Sequence, residues 1–145
     1  MKPTRKDEAD ILATLDRYSR AYAKHDLVGI LGLFAQDSDV VLIGTGADEK
    51  RIGFEEVKAQ FERNFGETET STIAWRWHKV SILREMAWVA ADAAIEVIVQ
   101  GRKTQFPIRM TIVLERRDGS WLWVHRHASV PAPSQVTGTA YPTQK

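Results

Sequence analysis

The 145-residue sequence contains no cysteine, and this absence removes several kinds of chemistry at once. Disulfide bonds, thiolate metal sites and cysteine nucleophiles are all excluded. A surplus of one charge is missing as well, because 20 Lys and Arg residues stand against 19 Asp and Glu residues, for a net charge of +1. Nucleic-acid-binding domains usually carry a basic excess on one face, so this balance argues against a nucleic-acid partner.

Long hydrophobic runs and several well-known motifs are also missing. No apolar stretch approaches the length of a membrane span, and the basic N-terminus has no apolar signal core. We therefore expect a cytoplasmic protein with no membrane partner. Gly44-Thr45-Gly46 lacks the spacing of a phosphate or dinucleotide loop, and no Gly-x-Ser-x-Gly nucleophile elbow is present. The sequence gives no reason to expect a cofactor.

Large aromatic side chains are the feature that the sequence has in quantity. Hydrophobic residues make up 43% of the chain, with five Trp, five Phe and three Tyr. The length corresponds to one ordinary domain with enough residues to bury a core. So many rings in a domain of this size indicate a thick core, an apolar pocket or a buried subunit interface.

The apolar periodicity predicts helices in the first half of the chain. Thr4 can cap a first helix and Asp26 a second, shorter one. Apolar residues at helical spacing then define the first helix (Ile11, Leu15, Tyr18, Tyr22) and the third helix (Phe54, Val57, Phe61, Phe65). Between the second and third helices, residues 40–43 read as a buried strand and residues 44–51 as a loop.

The second half of the chain is predicted to be mainly strand. Four β-rich segments are separated by turn residues, at 72–84, 88–99, 106–116 and 121–130. Helices followed by antiparallel strands indicate an α+β fold, with helices packed on one face of a sheet. We expect one domain over residues 1–130 and a tail over residues 131–145, which contains three of the prolines.

The last hairpin determines which residues share a sheet face. A three-residue loop that ends at Gly119 would place Arg116 opposite Ser120 and Val113 opposite Trp123. One face would then carry Arg109, Thr111, Val113, Trp121, Trp123, His125, His127 and Ser129. The other would carry Ile108, Met110, Ile112, Leu114, Leu122, Val124, Arg126 and Ala128. A two-residue loop would change these sets.

Three runs in this hairpin carry a family resemblance: 109–111, 115–121 and 124–129. They resemble the C-terminal hairpin of the association (hub) domain of calcium/calmodulin-dependent protein kinase II and of the related SnoaL-like bacterial proteins. The chain is thereby similar to the nuclear transport factor 2-like (cystatin-like) superfamily. The resemblance implies a curved antiparallel sheet wrapped around N-terminal helices, forming a cone with an interior pocket. Members include isomerases, dehydratases, cyclases and oligomerisation hubs, so the fold alone does not determine the function.

The resemblance also implies which residues line the pocket. Arginines that bind small carboxylates in the hub pocket correspond to Ile112, Ala128 and a position near Ala93 here, so that arginine set is not retained. The face with Ile112, Arg126 and Ala128 would line the pocket. The face with Trp121, Trp123, His125 and His127 would then point outward, towards a dimer partner.

Five other residues are candidates for the pocket. Tyr18 and Tyr22 lie one helical turn apart and could donate a hydrogen bond to a carbonyl or enolate oxygen, although both could simply be core rings. Asp92 could act as a general base inside a dry cone, unless strand alternation places it on the outer face with Glu96. Trp75 and Trp77, if they share a strand face, could form flat walls for a ligand, and Ile112 and Arg126 complete the predicted ligand-binding set.

His125 and His127 share one strand face and could reach a single metal ion. A third ligand would be needed, and His78, Glu96 and Glu115 are the nearest candidates in sequence. None has an evident position, so we favour two hydrogen-bonded histidines in a sheet or subunit interface and expect no metal.

The sequence therefore predicts a homodimer, or a higher oligomer, that binds a small organic ligand. One hypothesis is a cofactor-free isomerase, cyclase or dehydratase for a small apolar or carbonyl-containing substrate. In this hypothesis Tyr18 or Tyr22 is the donor, Asp92 the base and Arg126 the anchor for an anionic group. The alternatives are a non-catalytic oligomerisation module that resembles the hub domain and a ligand carrier or sensor.

Overall fold

The protein forms three helices and six strands in a computed structural model that describes residues 1–143. The elements in chain order are α1 (Arg5–Ala23), α2 (Leu27–Leu31), β1 (Val41–Ile43), β2 (Lys50–Ile52), α3 (Phe54–Glu67), β3 (Thr70–Leu83), β4 (Met86–Val99), β5 (Arg102–Arg117) and β6 (Ser120–Ser129). The predicted α+β class is confirmed. Within the described part of the chain, no helix is both long and apolar enough to cross a bilayer.

The six strands form one curved, open sheet in the order β2-β1-β6-β5-β4-β3. Every neighbouring pair is antiparallel except β1 and β6, which are parallel. Lys50 and Arg51 of the short strand β2 were predicted as the end of a loop, because this stretch is charged and lacks an apolar pattern. It is held as a strand by its pairing with β1 rather than by its own sequence.

The helix caps follow the sequence closely. The Thr4 hydroxyl accepts a hydrogen bond from the Asp7 N–H, and the Asp26 carboxylate accepts one from the Gly29 N–H. These side chains satisfy backbone N–H groups that have no partner within the helix, which defines where α1 and α2 begin. Both caps were predicted.

The hairpin between β5 and β6 differs from its predicted register. Arg117 pairs with Ser120, so the turn consists of Asp118 and Gly119 alone, both with positive φ, as in a type I′ turn. An extra residue, Val124, then forms a bulge in β6, because Leu114 pairs with Trp123 while Val113 pairs with His125. The predicted three-residue loop and the pairing of Val113 with Trp123 are wrong.

The Val124 bulge changes which side chains face the helices. Trp121 and Trp123 point inward before the bulge, and Arg126 and Ala128 point inward after it; all four are buried. The prediction that Trp121 and Trp123 face outward is therefore wrong. His125 and His127 lie on the opposite face of the sheet, as predicted, where they pair with Val41 and Ile43 of β1.

An aromatic cluster forms the centre of the core. Trp123 is 0% exposed, and its ring stacks on Tyr18 at a centroid distance of 4.8 Å and meets Phe34 edge-on at 5.5 Å. Its indole N–H donates to the Thr14 hydroxyl at 2.9 Å, so its polar atom is also satisfied. This cluster joins α1 to the middle of the sheet.

The C-terminal segment beyond β6 contains turns but no helix or strand among its described residues. Its side chains are mostly exposed, including Val136 and Tyr141. Residues 144 and 145 of the predicted tail lie outside the described residues.

The inward orientation of Trp123 leads to a stability prediction. We expect Trp123→Ala to lower the free energy of unfolding by about 3–5 kcal/mol, because it removes a fully buried ring and leaves a cavity. Tyr141→Ala, at an aromatic position 80% exposed, is the control and should change it by less than about 0.5 kcal/mol. Urea denaturation measures the free energy of unfolding of both variants. A Trp123→Ala protein with nearly wild-type stability would contradict this account of the core.

Candidate functional site

The best candidate site is a cavity of about 110 Å³ inside the cone, between α1, α3 and the inner face of the sheet. Apolar side chains from β3, β4 and β5 form most of its wall: Ile73, Ile95, Val97, Phe106, Ile108 and Met110. Its polar lining comes from α1, from α3, from the loop between β1 and β2, and from β6: Tyr18, Tyr22, Gly44, Thr45, Glu49, Asn64 and Arg126. An apolar wall with a few convergent polar groups is typical of a ligand site.

Arg126 is the buried cation of this cavity, with only 6% of its surface exposed. One guanidinium nitrogen donates to the Tyr18 hydroxyl at 2.9 Å, and another donates to the Ile43 carbonyl at 3.3 Å. Its Nε has no partner, and no carboxylate within residues 1–143 forms an ion pair with it. Because a buried charge normally has a counter-charge, this arrangement is energetically costly.

Tyr18 and Tyr22 lie side by side on α1, with ring centroids 5.9 Å apart. Tyr18 accepts a hydrogen bond from Arg126, so its own hydroxyl hydrogen can donate to a ligand. Burial raises the pKa of the Tyr22 phenol well above its usual range, with a further contribution from Tyr18. Tyr22 therefore keeps its proton at neutral pH.

Glu49 brings a carboxylate to the same cavity from the loop before β2. One of its oxygens, Oε1, accepts hydrogen bonds from Arg63 at 3.0 Å and from Gln60 at 3.4 Å. The other, Oε2, accepts one from the Gly46 N–H at 3.1 Å. A side chain at Gly44 would collide with this carboxylate, because its Cβ would overlap Oε2 of Glu49. The glycine thus leaves the space that Glu49 occupies.

Gln60 links the parts of the protein that hold Glu49 in place. It is almost fully buried, and its side-chain oxygen accepts from the Arg51 Nε at 2.9 Å. Its side-chain nitrogen donates to Asn64 at 2.8 Å as well as to Glu49. This network holds the loop and β2 against α3. The polar side of the cavity is therefore preformed in the absence of ligand.

Three of the seven predicted site residues line the cavity: Tyr18, Tyr22 and Arg126. Ile112 is fully buried but lies deeper in the core. Trp75 is also outside the lining, where its indole N–H donates to the Leu15 carbonyl at 3.0 Å.

Trp77 and Asp92 lie on the outer face of the sheet, so their predicted positions inside the cone are wrong. A bulge at Arg76 separates Trp75 from Trp77, which pairs with Asp92 and is 51% exposed. Strand β4 pairs with β5 without interruption, so alternation places Asp92 outward, level with Arg109.

Glu49 and Asn64 line the cavity but were not among the site residues predicted from the sequence. Asn64 follows Phe61 by three residues, so a polar residue on the inward stripe of α3 was an available signal for a pocket. Glu49 carried no such signal, because its position depends on the path of the loop.

The two histidines on the outer face have no third metal ligand beside them in the described part of the chain. Residues 1–143 contain no group of three or more His, Asp or Glu side chains arranged to hold a metal ion. Burial lowers the pKa of His125, which is therefore neutral at pH 7.

Comparisons with known proteins agree with this architecture. Residues 11–133 match the model of the SnoaL-like domain family. No curated protein matches the sequence. A structure from Xanthomonas campestris, assigned as a calcium/calmodulin-dependent protein kinase II association domain, is 26% identical with a TM-score of 0.75, and the match covers 85% of this chain and 86% of that one.

Two more distant structures share the fold. A nuclear transport factor 2-like superfamily protein from Salmonella enterica is 18% identical with a TM-score of 0.83, over 94% of this chain and 99% of that one. A protein from Streptomyces avermitilis, assigned as a dehydratase of the same family, is 17% identical with a TM-score of 0.82, over 89% and 99%. Because the family model spans most of the sequence and the solved structures share the cone, the chain belongs to the SnoaL-like domain family.

Proposed function

We propose that this protein binds a small organic anion in the cone cavity, with Arg126 as the anchor. The observation that supports this most strongly is the buried guanidinium that has no counter-charge. An arginine has five N–H donors, and Arg126 uses two of them, towards Tyr18 and Ile43. The remaining donors suit a carboxylate, which a guanidinium can hold through two parallel hydrogen bonds.

The size and lining of the cavity limit the ligand. A volume of about 110 Å³ is of the same order as the roughly 150 Å³ cavity that accommodates a benzene ring, so the ligand is a small molecule with a short carbon chain. Its body would contact aliphatic and aromatic side chains such as Ile95, Phe106 and Met110. Tyr18, placed beside Arg126, would donate a second hydrogen bond to the anionic group or to a neighbouring carbonyl oxygen.

Binding is better supported than the cofactor-free isomerase, cyclase or dehydratase predicted from the sequence. Such an enzyme needs a general base, and Asp92 lies on the outer face. Glu49 is the one carboxylate that lines the described cavity, and it already accepts hydrogen bonds from Arg63, Gln60 and Gly46. A carboxylate held in this way is a weaker acceptor for a substrate proton.

Replacement of Arg126 by methionine tests the proposal. We expect wild-type protein to bind a short monocarboxylate from the series acetate to pentanoate, and Arg126→Met to weaken this binding by at least about tenfold. The free energy of unfolding should stay unchanged or rise by about 1–2 kcal/mol, because an uncompensated buried charge is removed. Isothermal titration calorimetry and urea denaturation measure the two effects.

Arg17→Met is the matched control, because Arg17 is exposed on α1 and does not line the cavity. This substitution should leave the affinity for the monocarboxylate unchanged. The proposal would be rejected if no short carboxylate, plain or substituted, bound wild-type protein, or if Arg126→Met bound the carboxylate as tightly as wild type does.

The outer face of the sheet supports a second proposal, that two copies of the chain associate through it. The helices cover the inner face only, and the outer face carries Trp77, Trp88, Ala90, Val113 and Ile52. Trp77 and Ile52 are 51% and 55% exposed in the single chain. This face also carries Asp92, Arg109, His125 and His127, but its exposed apolar side chains and the small Ala90 suit a close contact with an identical face.

Ala90→Glu tests this association. Ala90 lies at the centre of the outer face and pairs with Thr111, so a charge there would be buried between the two copies. We expect wild-type protein to sediment as a dimer and Ala90→Glu as a folded monomer. Val136→Glu, in the exposed C-terminal segment, should remain dimeric. The proposal would be contradicted if wild-type protein stayed monomeric at a protein concentration on the order of tens of micromolar.

A further inference from the structure

Two side chains of opposite charge line the cavity, and their placement narrows the class of ligand. Arg126 extends from β6 in the middle of the sheet, and Glu49 extends from the loop between β1 and β2. They are the charged residues among those that line the cavity. The structure shows no ion pair between them, since Glu49 pairs with Arg63 and Arg126 hydrogen-bonds to Tyr18.

Each of the two charged side chains retains unused hydrogen-bonding capacity. The Nε of Arg126 is buried without a partner. On Glu49, Oε2 accepts one hydrogen bond, from Gly46, although a carboxylate oxygen can accept two. The Glu49 side chain is only 20% exposed, so its charge is only partly screened by solvent.

We propose that the cavity binds a small zwitterion, with a carboxylate on Arg126 and an ammonium group on Glu49. This inference rests on the proposed function, because it assumes that the carboxylate of the ligand binds to Arg126. A plain monocarboxylate would leave Glu49 facing an anion in a partly buried site, and this repulsion weakens binding. An amino-carboxylate satisfies both charges and leaves its short carbon chain against the apolar wall.

The volume and the neutral lining residues agree with this class. About 110 Å³ accommodates a linear amino acid with a few methylene groups and leaves no room for a large side chain. Thr45 lies in the same loop as Glu49, and Asn64 accepts a hydrogen bond from the Gln60 nitrogen that also donates to Glu49. Both line the cavity and have side-chain oxygen atoms that suit the remaining ammonium hydrogens. Tyr18 remains available to the carboxylate at the other end.

Matched ligand pairs test the zwitterion class. Isothermal titration calorimetry would compare propionate with 3-aminopropionate, butyrate with 4-aminobutyrate, and pentanoate with 5-aminopentanoate. For at least one chain length, we expect wild-type protein to bind the amino-carboxylate at least about tenfold more tightly than its parent. Butylamine, which lacks the carboxylate, should bind weakly.

Glu49→Gln is the decisive variant, because it keeps the shape of the side chain and removes its charge. It should bind the amino-carboxylate more weakly than wild type and bind the parent carboxylate more tightly, so that the preference falls below about twofold. Glu62→Gln, an exposed glutamate on α3, is the control and should keep the wild-type preference. If Glu49→Gln does not fold, the comparison of the ligand pairs in wild type still decides the question.

The possible failures are distinguishable. If wild-type protein binds every parent carboxylate at least as tightly as its amino derivative, and Arg126→Met abolishes this binding, the zwitterion inference is overturned while the proposed function stands. If wild-type protein binds neither type of ligand, both are overturned. If amino-carboxylates bind more tightly but Glu49→Gln leaves that preference intact, Glu49 is not the partner of the ammonium group and the inference fails.

Discussion

The bulge at Val124 is the constraint on which both the core and the site depend. Without it, strand alternation would place Trp123 and Arg126 on opposite faces of β6, because they lie three positions apart. With one extra residue, both point towards α1. Trp123 then stacks on Tyr18, and Arg126 donates to the hydroxyl of that same tyrosine. One irregularity in one strand thus joins the packing of the molecule to its chemistry.

The cavity carries a cost that the rest of the fold has to offset. A guanidinium without a counter-charge lies among apolar side chains, where desolvation costs several kcal/mol, on the order expected for buried ions. The aromatic cluster around Trp123 and the polar network around Gln60 hold the surrounding elements in place. A residue that lowers stability while facing a preformed cavity is characteristic of a binding site, since function and stability compete there.

The parts of the structure that follow local rules could be predicted from the sequence. The two capped helices, the apolar stripe on α3 and the long strands follow from capping, periodicity and turn residues. The inward position of Arg126 was predicted from the family resemblance, and the structure agrees. The orientations of Trp123 and Trp77 could not be predicted, because the bulges at Val124 and Arg76 have no signature in the residues that form them.

The role of Glu49 was out of reach for a different reason. It depends on a short strand that forms through its partner and on a loop whose glycine leaves room for the carboxylate. The central claim, that Arg126 holds a carboxylate in the cavity, is tested most directly by the proton–nitrogen NMR signal of its guanidinium group, assigned by its absence in Arg126→Met. The account predicts a saturable shift of this signal as butyrate or 4-aminobutyrate is added. The claim would be contradicted if the Arg126 signal stayed in place while backbone amides elsewhere shifted. It would also be contradicted if no signal of the protein shifted on addition of ligand.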